Sequence, residues 1–290
     1  HHRYRRALLG PGQDRRFRRD ARRRFVTAGF PVHLRRFGEG PRRAVAIHCT
    51  QAHGGAWRGV ARCLADCLTI LAPDMPAHGK SGDWDFTGDL HDVTYAALLP
   101  LVQDEPVDLI GHSFGATIAL RMAVEVPDQI RSLTLIEPVY FAVAEAANPA
   151  SVARHLEEAA SYLKPIEQGD MEEAARHFNR IWGNGTKWAD IPDNVQRYMV
   201  DRIGLIPKQS PALFEDRPGL LAPDRIGRVR MPTLLLDGAH SPPVMGAIML
   251  GLAEMLPNAH RVTVPDAGHM VPITHPQETA DAISELLEMA

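Results

Sequence analysis

Gly111-His112-Ser113-Phe114-Gly115 constrains this chain more than any other stretch. It lies between an apolar run, Val107 to Ile110, and a stretch of helical character from Ala116 to Val126. Strand, sharp turn and helix in that order, with serine at the turn, make the pattern of a nucleophile elbow. Such a turn strains the serine backbone and projects the hydroxyl into a cleft. Glycines two before and two after it let strand and helix approach closely. An idle serine in a strand–helix turn would share the pentapeptide. The flanking elements and a late Gly268-His269 favour chemistry.

The rest of the chain supplies the frame that such an elbow needs. Ala44 to Ile47, Leu68 to Ala72, Ile130 to Ile136 and Thr233 to Leu236 are short continuous apolar runs, the signature of buried parallel strands. Arg261 to Val264 is a last strand. Helical stretches run from Trp57 to about Cys67, Thr87 to Val102, Val244 to Leu256 and His275 to Met289. Arg24 to Thr27 and Val32 to Arg36 read as a hairpin turned at Ala28-Gly29. Strand–helix alternation at this spacing implies an α/β fold with a doubly wound, mostly parallel sheet. The alternation stops between Tyr140 and Asp224. There Val152 to Leu163, Asp170 to Trp182 and Asp193 to Ile203 have helical character and no strand pattern appears. The expected organisation is a core of residues 25–139 and 225–290, an inserted helical cap of residues 140–224, and a basic leader of residues 1–24.

Charge and cysteine content narrow the setting. Net charge is −3 over 290 residues, which gives no global field for nucleic acid. Ten arginines precede Phe25 against Asp14 and Asp20. That leader has no apolar core of a secretory signal and reads as disordered rather than as a polyanion-binding arm. No apolar run approaches the roughly 18 residues of a membrane span. Cys49, Cys63 and Cys67 are too few and too oddly numbered for a disulfide framework, and read as core thiols in a reducing compartment. A cytoplasmic protein acting on a small molecule is expected, with room for a homodimer. No metal constellation and no dinucleotide fingerprint is evident, so no cofactor is expected.

Four features in order carry a resemblance: His48-Cys49 at a strand end; Asp74-Met75-Pro76-Ala77-His78-Gly79-Lys80-Ser81; the elbow; and Asp266-Ala267-Gly268-His269 after the last strand. From about Phe25 onward the chain resembles an α/β-hydrolase of the serine branch with a helical cap. The resemblance implies Ser113 as nucleophile and His269 as its base, with His48 and His78 in chiefly structural positions. It implies that the His112 side chain points away from the base. A serine rather than an aspartate at the elbow sets the chain apart from the dehalogenases and epoxide hydrolases of this fold. It points instead to acyl transfer to water.

The third catalytic partner departs from the family pattern. An imidazole base needs a carboxylate to fix its tautomer. The family's usual aspartate, after the penultimate strand, is here Ser241, within Gly238-Ala239-His240-Ser241. Two carboxylates compete for the role: Asp237, at the end of that strand, and Glu137, at the end of the strand following the elbow helix. Glu137 is preferred because the role requires reach to the imidazole. The oxyanion donors are expected to be the backbone N–H groups of Phe114 and Thr50. Cap residues Tyr140, Phe141 and Trp182 are candidates for an apolar substrate pocket. Met245 and Met249 are a helical pair expected in the core. The expected activity is metal-free hydrolysis of a small ester or lactone through an acyl-enzyme. Carbon–carbon hydrolysis of a diketone-like substrate and a non-catalytic, ligand-binding role are the alternatives.

Overall fold

The computed structural model describes residues 23–27 and 30–290. The leader through residue 22 and the expected turn at Ala28-Gly29 lie outside the described residues. One eight-stranded sheet organises the chain in the order β1-β2-β4-β3-β5-β6-β7-β8. The strands are β1 (Arg23–Thr27), β2 (Phe30–Phe37), β3 (Arg42–Ile47), β4 (Leu68–Pro73), β5 (Val107–His112), β6 (Ile130–Ile136), β7 (Thr233–Gly238) and β8 (Ala259–Val264). β1 and β2 are antiparallel to their neighbours, and β3 to β8 are parallel. This is the expected α/β-hydrolase arrangement.

Alternation along each strand divides the core. Val45, Ile47, Leu109, Leu133, Leu135 and Leu235 belong to one buried cluster; Ala44, Ala46, Ile110, Ile136, Leu234 and Leu236 belong to the other. On the second face pack α1 (Arg58–Cys63) and the amphipathic closing helix α12 (Pro276–Glu288). On the first lie α2 (Leu90–Leu98), α3 (Phe114–Glu125) and α10 (Pro243–Met255), the last burying Met245 and Met249. Helix α2 is shorter than the span expected from the sequence. Asp89 caps it, accepting from the N–H groups of His91 and Asp92 at 2.8 and 3.3 Å, and residues 99–102 tighten into a 3-10 turn.

Between β6 and β7 the chain is helical: α4 (Phe141–Ala147), α5 (Pro149–Gln168), α6 (Met171–Trp182), α7 (Asp193–Val200), α8 (Ile206–Glu215) and α9 (Pro223–Ile226). A short α11 (Val271–Thr274) precedes α12. The sequence does not reveal α4 or α8. α4 is seven residues long with a single polar side chain, Glu145, too little to mark a period. α8 carries Pro207 and Pro211, which read as breakers, yet Pro207 sits in the first turn, where a missing N–H costs nothing.

The cysteines require a correction. Cys49 is buried, but Cys63 and Cys67 are exposed and all three are free thiols. α1 stops at Cys63, and Leu64 takes the buried position that a longer helix would have shared with Cys67. The Cys63 thiol lies 3.4 Å from Oε1 of Gln277 on α12. Among the described residues no helix is long and apolar enough to cross a membrane.

Candidate active site

Register sets the site. Ile47 pairs with Gly111, His112 with Ile136, and Ile136 with Leu236. The C-terminal ends of β3, β5, β6 and β7 are therefore nearly flush, and the residues leaving them stand side by side. At such an edge open parallel sheets bind ligands.

Ser113 leaves β5 with φ +56° and ψ −121°, a conformation that non-glycine residues rarely adopt. Its N–H donates to the Ile136 carbonyl at 2.9 Å, which ties the turn to β6. A Cβ on Gly115 would stand 2.4 Å from the carbonyl oxygens of Ile47 and His48; one on Gly111 would stand 2.5 Å from Cα of Ala116. Both glycines thus allow backbone contact between α3 and its neighbours. Gly115→Ala is expected to destabilise the fold by about 3 kcal/mol, since the atoms it meets are backbone and cannot swing aside. It should also displace the turn after His48. Urea denaturation and turnover of the variant check both effects.

His269 lies in the loop between β8 and α11, its ring in a T-shaped contact with that of Trp182 at 4.6 Å between centroids. Its Nε2 is 3.0 Å from Ser113 Oγ and its Nδ1 is 2.9 Å from Glu137 Oε2. Because a carboxylate only accepts, Nδ1 carries the proton and Nε2 is free to accept one from the serine. Glu137 has no exposed surface and a φ of +50°. Its Oε1 accepts from the Gly238 N–H at 2.7 Å and from the Ser241 hydroxyl at 2.5 Å. The serine at the usual acid position therefore donates a hydrogen bond to the carboxylate that follows the neighbouring strand, β6. Asp237 is turned elsewhere, to Arg261 at 2.6 Å and Thr263 at 2.9 Å on β8, and does not reach His269.

His112 departs from the expected orientation. Its ring stands 5.3 Å from that of His269, and its Nε2–H donates to the His269 carbonyl at 2.8 Å. Burial, with the neighbouring His269, pushes its pKa down to about 3, so it is neutral and steadies the His269 loop.

The turn after β3 is braced from below. His48 Nε2 accepts from the Met75 N–H at 2.9 Å, so its proton is on Nδ1, which donates to the Cys49 carbonyl at 2.7 Å. In a trans peptide the N–H points opposite to the C=O. Fixing the Cys49 carbonyl thereby fixes the Thr50 N–H on the other side. Phe114 opens α3, and its N–H is among those that find no acceptor within a helix. The 74–81 loop is a scaffold. Asp74 is buried and takes the N–H groups of Gly54 and Lys80 at 2.7 and 2.9 Å, His33 at 3.0 Å, and Arg35. Burial alone would raise its pKa. The two amides and Arg35 outweigh that and hold it below the usual range.

Above the edge lies a cavity of about 620 Å³ that includes Thr50, Ser113 and His269 in its wall. Phe141 and Trp182 line it; Tyr140 does not. The Tyr140 side chain is buried and its hydroxyl donates to Asp216 at 2.5 Å, pinning the start of the helical insertion to the end of α8. Sequence reading missed His155 on α5, which also lines the cavity, stacked on Phe141 at 4.7 Å. It missed Gln209 on α8 as well. Among the described residues no group of three or more His, Cys, Asp and Glu is placed to hold a metal ion.

Buried neutral histidines carry a stability consequence. Burial is the first cause that lowers His48, His91 and His112 to about 3 and His78 and His155 to about 4. Unfolded histidine takes up a proton below about pH 6.5, whereas these do not until pH 3 to 4. Their contribution is intact above pH 6.5 and falls as pH drops toward 4, by about 1.4 kcal/mol per pH unit for each. Thermal melts at pH 7, 6 and 5 should show a steep, monotonic fall in Tm. A flat profile would contradict the neutral assignments.

Comparison with known proteins agrees with this fold. The model of the alpha/beta hydrolase family matches residues 44–282. The chain is 30% identical over 270 residues to lipase LipV of Mycobacterium tuberculosis, covering 88% of this chain and 97% of that one. It is 25% identical over 269 residues to a pimeloyl-[acyl-carrier protein] methyl ester esterase of Aeromonas hydrophila, covering 88% and 99%. In fold it resembles CarC, a serine hydrolase involved in carbazole degradation, with a TM-score of 0.68 at 20% identity, covering 92% and 98%.

Proposed function

The chain belongs to the alpha/beta hydrolase family, and on that premise we propose that it is a serine hydrolase cleaving small carboxylic esters or lactones through an acyl-enzyme. The observation that carries this reading is the unbroken chain Ser113 Oγ, His269, Glu137, at 3.0 and 2.9 Å, in the wall of a largely apolar cavity. Ser113 attacks the ester carbonyl carbon while its proton passes to His269 Nε2. Glu137 stays ionised and stabilises the imidazolium through Nδ1–H. The N–H groups of Phe114 and Thr50 hold the oxyanion of the tetrahedral intermediate. His269 then protonates the leaving alkoxide, and a water activated the same way releases the acid. The names of the lipase and methyl ester esterase relatives favour a carboxylic ester as substrate. Phe141 and Trp182 would hold its apolar part. The division into a core of residues 25–139 and 225–290 and a cap of residues 140–224 belongs to the same reading, with the cap roofing the substrate. Exposed free thiols at Cys63 and Cys67 fit a cytoplasmic setting.

A fluorophosphonate probe, followed by peptide mapping, tests the nucleophile. A panel of p-nitrophenyl esters of graded chain length, with lactones and a vinylogous diketone alongside, tests the substrate class. Adduct on Ser113 with ester turnover supports the reading. Folded protein that takes no label and turns over no ester would overturn it, and turnover of the diketone alone would move the activity to carbon–carbon hydrolysis.

A further inference from the structure

The helical insertion reaches the turn after β3 at several points. Gln209 Nε2, on α8, donates to Thr50 Oγ1 at 2.7 Å. Gln51 Nε2 donates to the Met199 carbonyl at 3.2 Å, and the Tyr198 hydroxyl donates to the Ala52 carbonyl at 2.8 Å. Residues 50, 51 and 52 are therefore each held by a different residue of the insertion. Gln209 is only 3% exposed, and a buried amide at that position is retained against the cost of desolvating it. Thr50, Gln209 and Ser113 all line the same cavity.

A threonine hydroxyl has one proton and two lone pairs. Gln209 occupies a lone pair, because its amide nitrogen can only donate. Among the described residues the Thr50 proton meets no acceptor. The hydroxyl thus has a donor left over, on the residue whose backbone N–H we assign to the oxyanion. We propose that the Thr50 hydroxyl is a third donor to that oxyanion, aimed by Gln209, so that the insertion completes the catalytic apparatus as well as covering the substrate. The inference rests on the serine hydrolase reading above. The proton stays on Thr50 throughout: the hydroxyl contributes a hydrogen bond that strengthens as the carbonyl oxygen becomes an oxyanion, and no covalent bond changes there. Thr50 would be a catalytic residue and Gln209 a positioning residue.

The test uses Thr50→Val, which keeps the backbone N–H and nearly the side-chain shape, together with Thr50→Ser and Gln209→Met. Losing one oxyanion donor lowers kcat by about 100-fold. Thr50→Val should approach that loss with KM changed less than twofold, Thr50→Ser should stay within about threefold of wild type, and Gln209→Met should fall between them. A trifluoromethyl ketone, whose hemiketal with Ser113 mimics the oxyanion, should weaken in proportion to kcat/KM. The product acid, which forms no tetrahedral adduct, should bind Thr50→Val as it binds wild type. Thr50→Val with kcat within twofold of wild type, while Ser113→Ala is inactive, would overturn the inference and leave the serine reading standing. Wild type that neither labels nor turns over ester would overturn both.

Discussion

Ser113→Ala is expected to lower ester turnover by about a million-fold while leaving the protein folded and able to bind substrate. The size follows from the role proposed for Ser113. Without the hydroxyl no acyl-enzyme can form, and only the oxyanion donors and the cavity remain to favour the reaction. The stability change should be small, within about 1 kcal/mol, because the substitution removes one hydrogen bond to His269 at the cavity wall and leaves the backbone as it was. Alanine must still adopt the positive φ of +56° that the turn imposes, so the elbow's strain is neither added to nor relieved. Single-turnover kinetics with a chromogenic ester, with mass analysis of the quenched mixture, should show an acyl adduct in wild type and none in the variant. Equal turnover by the two proteins would exclude Ser113 as nucleophile. Absence of turnover by both would favour a protein that binds ligands without cleaving them.

The distribution of what the sequence reveals follows from the range of the contacts involved. Parallel strands buried on both faces write themselves as apolar runs, and the elbow glycines are required by contacts among residues in and around one turn, so the sheet was legible. The contact of Glu137 with His269 was legible for a less direct reason: the residue that leaves a strand stands at the edge where open sheets bind ligands, and Ser241 removed the usual rival. The part that Ser241 plays instead, donating to Glu137 Oε1, depends on β6 and β7 being flush, and no local pattern encodes a register. Gln209 was missed, and the orientation of His112 misjudged, on the same grounds, since their partners, Thr50 and the His269 carbonyl, are remote in sequence. Tyr140 was misjudged because an aromatic residue at the start of a helical insertion suits a pocket wall and a buried strut equally well. Only the position of Asp216 decides between them.

Glu137→Gln should cost about 10³- to 10⁴-fold in kcat, far more than the loss of one hydrogen bond, because it reverses the tautomer of His269. Two donors, the Gly238 N–H and the Ser241 hydroxyl, converge on Oε1. A carboxylate accepts on both oxygens. A glutamine has one oxygen, and those two donors draw it to their side. Its NH₂ group then faces Nδ1 of His269, which can meet a donor only as an acceptor, so the proton moves to Nε2. An imidazole with Nε2 protonated cannot take the proton of Ser113. Asp237→Asn is the control: that carboxylate is engaged by Arg261 and Thr263, and turnover should stay within about threefold of wild type, the residual change reflecting β8. The relation between positions 137 and 241 also permits a rescue. In a Glu137→Ser background, Ser241→Asp places a carboxylate where the hydroxyl stands, beside the vacated site, and should recover at least tenfold of the lost activity. On its own Ser241→Asp should be nearly inactive, because two carboxylates at hydrogen-bond distance must share a proton and the shared proton withdraws the acceptor from His269. Glu137→Gln with turnover within threefold of wild type would remove Glu137 from the mechanism. Failure of the double variant to exceed Glu137→Ser would show that reach to Nδ1, and not charge near the ring, governs the role.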